Sequence, residues 1–305
     1  MELEELKKII PNSDGWTHSH EITYGWSGEQ KYQIKQAEGS DMLLRILTPE
    51  QYEMQQDGIK FLLECNEISA LVPKLYAHGK IIHGENYYLL LEFIYGENGM
   101  LAIGNYSNQE QYDLGVIMGK EIKKIHSQTE EKNHPAESKK FKEKTQKFID
   151  YYLANKAEFK FFGNIDDVIL NFVNEVEKRP MVMIHNDFHL GNMIIDEDRI
   201  YLIDFNRACL QDRFKEFDAI AWSARSSTNF SAGLLDAYLD GEDKNEFFKI
   251  LRGYISIWQI QMLFFIQDET EEEKREVLDL IKFVSSWFEN GSFIPNWYTE
   301  NSRTI

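Results

Sequence analysis

The chain has 305 residues, and 51 acidic against 33 basic side chains leave a formal charge of −18. That balance excludes a nucleic-acid partner, which needs a basic face, and an anionic membrane surface. No apolar run reaches the roughly 18 to 20 residues of a membrane span, and Cys65 and Cys209 alone cannot build a disulfide framework or a thiolate metal site.

The N-terminal MELEELKKII predicts an acidic amphipathic helix without the apolar core of a secretory signal, so the protein is expected in the cytoplasm. HEITYG, KYQIKQ and MLLRIL read as short strands separated by the turn-forming GWSGEQ and AEGSD. TPEQYEMQQDGIKFLLECNEI has helical spacing, with Thr48 as N-cap, Pro49 in the first turn and Ile59, Leu62 and Leu63 on one face. PKLYAHGKII and NYYLLLEFIYG predict two further strands. Beyond Gly96 the pattern becomes helical. EQYDLGVIMGKEIKKIHS places Leu114, Ile117, Met118, Ile122 and Ile125 on one face, and KFKEKTQKFIDYYLA, IDDVILNFVNEVEKR, EFFKILRGYISIWQIQMLFF and KREVLDLIKFVSSWFEN predict more helices. The expected fold class is α+β, with a small β-rich lobe over residues 1–95 and a larger, mostly helical lobe over 96–305.

The densest chemistry lies in PMVMIHNDFHLGNMIIDEDRIYLIDFNRA, from Pro180 to Ala208. His185 and His189 are spaced as zinc ligands on a helix are, but Gly191 and the flanking apolar runs predict a loop between strands, and the glutamate of a zinc-protease motif is absent. Polar residues of a tight turn would account for one or two of these side chains, not for four of them followed by Asp204. Phosphoryl transfer accounts for all. It needs an aspartate to orient a hydroxyl and accept its proton, and hard oxygen donors to hold Mg²⁺ against nucleotide phosphates. H-x-D-x-x-x-x-N followed by a strand ending in I-D-F supplies those groups in kinase order, with Asp187 as base and Asn192 and Asp204 as metal ligands.

With these residues in place, the sequence resembles the aminoglycoside phosphotransferase family, small-molecule kinases of the protein-kinase-like fold. IHNDFHLGNMIID and YLIDFNR are similar to that family's H-G-D-x-H-x-x-N and I-D-F signature, with Asn186 where glycine is usual. The resemblance implies a nucleotide-binding N-terminal lobe and a C-terminal lobe carrying the catalytic loop and substrate site. YGWSGEQKYQI would then cradle phosphates through Gly25, Ser27 and Gly28. Arg45 stands where a kinase carries lysine, keeping the charge but changing its shape. Its helical partner is expected to be Glu53, although another register lands on Gln55. The hinge would meet the base near Glu92, Phe93 and Ile94.

After the Asp-Phe pair, Asn206 replaces the protein-kinase glycine. The resemblance makes His185 structural and Asp212 a brace of the loop, Asp218 either braces the loop or binds ligand, and Glu216, Trp222 and Arg225 are candidates for the substrate wall. His189 either touches substrate or packs. The acidic run in QDETEEEKRE is the solvated start of a helix or part of a cleft for a cation. The function expected is Mg²⁺-dependent transfer of the γ-phosphoryl of ATP or GTP to a hydroxyl of an aminoglycoside or another small, cationic substrate. The alternatives are a metabolic kinase for choline, an amino acid or a sugar, and a kinase-like nucleotide-binding protein without turnover.

Overall fold

The structure is a computed structural model, and it describes residues 1–23, 28–128, 130–131, 135–156, 165–176, 178–268, 270–288 and 291–301. The chain divides into two compact units, one formed by Met1–Asn98 with Asn192–Ala208, the other by Gly99–Gly191 with Cys209–Ile305. The first unit thus runs to Asn98, near the boundary expected after residue 95, and takes in residues 192–208 as well.

Helix α1 (Leu3–Ile9) opens the first unit. Strand β1 (Trp16–Ile22) follows, starting upstream of the HEITYG run, and β2 (Gln30–Gln36), β3 (Met42–Leu47), β4 (Leu75–Lys80) and β5 (Tyr87–Glu92) complete an antiparallel sheet of order β1-β2-β3-β5-β4. Side chains alternate across a strand, so Met42, Leu44 and Ile46 of β3 enter one apolar cluster with Leu6, Ile10, Tyr32 and Leu90. Arg45, between two of them, points to the other face of the sheet.

Between β3 and β4 the single helix expected from Thr48 to Ile68 is two, α2 (Pro49–Met54) and α3 (Gln56–Ile68), broken at Gln55 (φ −96°, ψ 6°). Thr48 caps α2 reciprocally: its Oγ1 accepts from Gln51 N over 3.2 Å, and Gln51 Oε1 accepts from Thr48 N over 2.9 Å. Helix α3 lies directly on backbone. A Cβ added to Gly58 would come 2.1 Å from the carbonyl oxygen of Phe205, so only glycine allows the approach. Strand β6 (Glu97–Asn98) pairs with Met193–Asp196, which pairs in turn with Arg199–Leu202. With Leu202 N donating to Leu71 O over 2.8 Å, these ladders bring residues 192–208 back to the first unit.

The second unit carries α4 (Gly99–Ala102), α5 (Asn108–Gln128), α6 (Pro135–Ala154), α7 (Asp166–Val176), α8 (Ile220–Ser226), α9 (Thr228–Tyr238), α10 (Lys244–Phe265), α11 (Glu271–Ser286) and α12 (Asn296–Asn301). On α5, Leu114, Met118, Ile122 and Ile125 are buried, and Ile117 lies at the exposed edge of that face. Thr270 caps α11, and Glu271, Glu272 and Glu273 are its exposed first turn, favourably placed for the helix dipole. Glu269 of the same run lies outside the described residues. The short strands Met181–Ile184 and Cys209–Asp212 pair antiparallel, and residues 185–191 leave the end of the first. No helix among the described residues is long and apolar enough to cross a membrane.

Candidate active site

The spacing of Asn192 and Asp204 is that of a hairpin. Met193 opposes Leu202 in the ladder, and one step further Ile203 N donates to Asn192 O over 2.9 Å. Asp204 therefore follows directly on the residue bonded to Asn192, at the open end of the two strands. Its backbone is left-handed (φ 66°, ψ 66°), a conformation that a non-glycine residue adopts at an energetic cost and that recurs at functional sites. Asp204 Oδ1 is buried and accepts no hydrogen bond among the described residues; Arg45 Nη1 stands 3.9 Å from it. An orphaned carboxylate oxygen beside an amide residue is a hard-oxygen set that fits Mg²⁺, which keeps water and phosphate ligands for most of its coordination. Among the described residues no three His, Cys, Asp or Glu side chains are grouped as a protein-built metal cage would need.

Arg45 is buried in the same unit and is held through its Nε and Nη2. Its Nε donates to Glu29 Oε2 over 2.7 Å and its Nη2 lies 2.5 Å from the same oxygen. Nη2 also donates to Asn206 Oδ1 over 2.9 Å and reaches Gln55 Oε1 at 3.4 Å. The expected pair with Glu53 is corrected here. Glu53 lies on the exposed face of α2, whereas the break at Gln55 turns that buried side chain toward β3. The carboxylate partner is Glu29, which sequence reasoning missed; its only signal was a charge placed directly after Gly28. Two departures from the protein-kinase pattern, Arg45 and Asn206, are thus bonded to each other.

Of the phosphate-loop residues, Gly25 and Ser27 lie outside the described residues, and Gly28 has φ 63°, open to glycine at little cost. In the stretch expected to meet the base, Glu92 N donates to Lys74 O over 2.8 Å, Glu92 Oε2 accepts from Lys74 N over 3.2 Å, and Phe93 N donates to Asp41 O over 3.0 Å. These bonds end β5, and Ile94 follows half-buried.

In the second unit, residues 185–191 are held from beneath by a buried carboxylate. Glu216 Oε2 accepts from His185 N over 2.8 Å and Oε1 accepts from Asn186 N over 2.8 Å. His126 Nε2 is 3.1 Å from Oε2, and Tyr238 OH bonds His126 Nδ1 over 2.9 Å. Glu216 was expected on the substrate wall; it is fully buried and supports the loop instead. Burial pushes its carboxyl up, but the hydrogen bond and charge of His126 and the His185 contacts outweigh that and hold it below the usual range. Asn186 adopts φ 61°, which explains glycine's usual presence there and why asparagine, the residue best able to share that region, replaces it. Its Oδ1 accepts from Lys215 Nζ over 2.8 Å, and Lys215 also pairs with Asp218 at 2.7 Å.

Asp218 thus braces the loop through Lys215. Its carboxyl is pushed up by burial against the opposing pull of Lys215, with Glu216 and Asp187 pushing further in the same direction. Asp212 anchors the adjoining strand, accepting from Arg179 Nε over 2.8 Å, Tyr254 OH over 3.1 Å and Phe214 N over 3.2 Å. Lys215 and His126 carried no readable signal in the sequence, because their roles exist only once α5 and residues 213–218 meet.

Asp187 is partly exposed, with His189 Nε2 3.5 Å from its Oδ1. Gly191 N donates to His189 Nδ1 over 3.0 Å, so a neutral His189 carries its proton on Nε2, facing Asp187. Leu190 N donates to Ser223 Oγ of α8 over 3.0 Å. Trp222, on the same helix, stacks edge-on with Trp258 at 6.4 Å, and Arg225 is exposed.

An N-terminal antiparallel sheet followed by a mostly helical chain is the protein-kinase-like fold of the small-molecule phosphotransferases, and solved structures agree. The GDP complex of wild-type aminoglycoside 2'-phosphotransferase-IIIa aligns with TM-score 0.62 at 12% identity, over 93% of this chain and 98% of that one. Spectinomycin phosphotransferase APH(9)-Ia, in complex with ADP and spectinomycin, aligns with TM-score 0.57 at 16% identity, over 98% and 97%. APH(4)-Ia, in a ternary complex with AMP-PNP and hygromycin B, aligns with TM-score 0.61 at 13% identity, over 89% and 94%. At these identities the likeness is one of fold. By sequence, residues 20–248 match the phosphotransferase enzyme family, and the chain belongs to it. No curated protein matches the chain.

Proposed function

We propose that this phosphotransferase is a Mg²⁺-dependent small-molecule kinase that moves the γ-phosphoryl of ATP or GTP to a hydroxyl of an aminoglycoside. The observation that carries the reading is the buried, unbonded Oδ1 of Asp204 next to Asn192 at the end of the hairpin. A hard-oxygen pair of this kind is compatible with a divalent cation. When bound, Mg²⁺ neutralises phosphate charge and orients the transferred group. Asn192 and Asp204 supply its protein ligands. Arg45 faces the phosphates, the loop of Gly25, Ser27 and Gly28 offers them backbone N–H groups, and the backbone from Glu92 to Ile94 meets the base. Asp187 receives the acceptor hydroxyl and takes its proton, held at its height by the Glu216 bonds to the peptides before it and by His189 beside it. Trp222 supplies part of the acceptor's wall.

The nucleotide assignment draws on the fold relatives, whose complexes hold GDP, ADP and AMP-PNP. The acceptor assignment draws on spectinomycin and hygromycin B in two of them, and the charge of −18 is compatible with a cationic ligand. The fold relatives are only 12–16% identical to this chain, which leaves a second reading, a metabolic hydroxyl compound such as choline, an amino acid or a sugar. Without turnover, the chain would be a nucleotide-binding protein. Mass spectrometry of a panel of aminoglycosides and metabolites, incubated with the protein, Mg²⁺ and ATP or GTP, separates these. One phosphoryl group added to an aminoglycoside supports the first reading, addition only to a metabolite replaces the acceptor, and Mg²⁺-dependent nucleotide binding with no product defeats both.

A further inference from the structure

The cation on β3 needs a fixed counter-charge if it is to present the same face to a phosphate at every encounter. The residue between α2 and α3 that meets Arg45 is Gln55, which has no charge to offer. The charge comes from Glu29, whose side chain is 2% exposed and whose two oxygens are both used. Oε2 takes Arg45, and Oε1 accepts from Gln55 Nε2 over 2.7 Å. This division of labour explains the glutamine. A second carboxylate at position 55 would face Glu29 with no proton to share, whereas the amide donates to Glu29 and accepts from Arg45 at once.

Glu29 follows Gly28 immediately and precedes the first residue of β2. It therefore stands at the foot of the loop assigned to the phosphates. We propose that Glu29 is the positioning residue for Arg45 in nucleotide binding. It replaces the carboxylate that a helix would supply, with Gln55 as its matched neutral partner, so that the aim of Arg45 is tied to the phosphate loop rather than to α3. This rests on the reading of Arg45 as the residue facing the phosphates.

The test is calorimetric titration of the full-length protein with Mg²⁺ and a non-hydrolysable ATP or GTP analogue, with the melting temperature of each variant recorded. E29Q keeps the shape and removes the charge, and it is expected to weaken nucleotide affinity on the order of tenfold, the scale of one charged hydrogen bond. Q55E alone also weakens it, by setting two carboxylates together. The double variant E29Q/Q55E exchanges the two groups and recovers most of the loss at the wild-type melting temperature, which a merely structural role of Glu29 would not produce. If E29Q does not fold, E29D is read in its place, with weaker binding expected at an unchanged melting temperature. Wild-type or tighter affinity in E29Q or E29D, or a double variant no better than E29Q, overturns the proposal. R45A separates the two layers: unchanged nucleotide affinity there overturns the reading of Arg45 itself.

Discussion

Glu216 Oε1 accepts the backbone amide of Asn186 over 2.8 Å, while its other oxygen accepts that of His185 over the same distance. A fully buried side chain from residues 213–217 thus fixes the peptides immediately before Asp187, a task that a substrate-facing carboxylate could not perform. E216Q leaves one of these donors facing an amide N–H₂, and an unsatisfied buried donor costs about 1–3 kcal/mol. The variant is therefore expected to lose stability by that amount and turnover with it. Because the folded-state carboxyl lies below its ordinary value of 4.5, the contribution of Glu216 is present above that pH and is lost as pH falls through the lower folded value. Urea denaturation of both proteins should show the gap full at neutral pH and shrinking in acid. A gap that widens in acid would refute the assignment.

The left-handed backbone at Asn186 separates two effects of substitution. Asn186→Gly loses the bond from Lys215 and keeps a relaxed backbone. Asn186→Ala loses the same bond and keeps a Cβ at positive φ, which costs about 1–2 kcal/mol against glycine. Alanine should thus be less stable than glycine by that margin in chemical denaturation, and equal stabilities would show that the backbone at this position is not strained.

Gly58 links α3 to the segment that carries Asp204. In Gly58→Ala the added methyl meets the Phe205 carbonyl at 2.1 Å and either α3 or that segment must move. A lowered melting temperature and weakened Mg²⁺-dependent nucleotide binding are expected together. Gly104→Ala, where nothing lies within 4 Å of the new Cβ, is the control and should change neither.

The two aspartates should fail differently. If Asp187 is the proton acceptor proposed above, Asp187→Asn lowers turnover by about 10²-fold or more while nucleotide affinity stays. With Asp204 as the proposed metal ligand, Asp204→Asn is expected to weaken Mg²⁺-dependent nucleotide binding as well. Calorimetry beside a product assay distinguishes them, and an Asp187→Asn protein with full turnover would sink the mechanism.

Much of this protein follows from local pattern. Short apolar runs bounded by turn signals are enough to place β3 and β5 in MLLRIL and NYYLLLEF, helical spacing is enough for α5 and α10, and Asp187, Asn192 and Asp204 stand out because few other chemistries use those groups in that order. Even the spacing of Asn192 and Asp204 is a local matter, since a hairpin must bring the residues at its open end together. The tertiary structure alone decided which partners the charged groups find. Arg45 meets Glu29 and Gln55 instead of Glu53 because the helix breaks at Gln55, and a helical repeat read from sequence does not register a break of one residue. Glu216 is buried beneath the loop because His126 arrives from α5, 90 positions away in the chain. Residues 192–208 join the N-terminal unit through ladders to β6 and Leu71. Periodicity reports which face of an element is apolar, but an ion pair forms at a point, and which points coincide is settled only when distant elements pack.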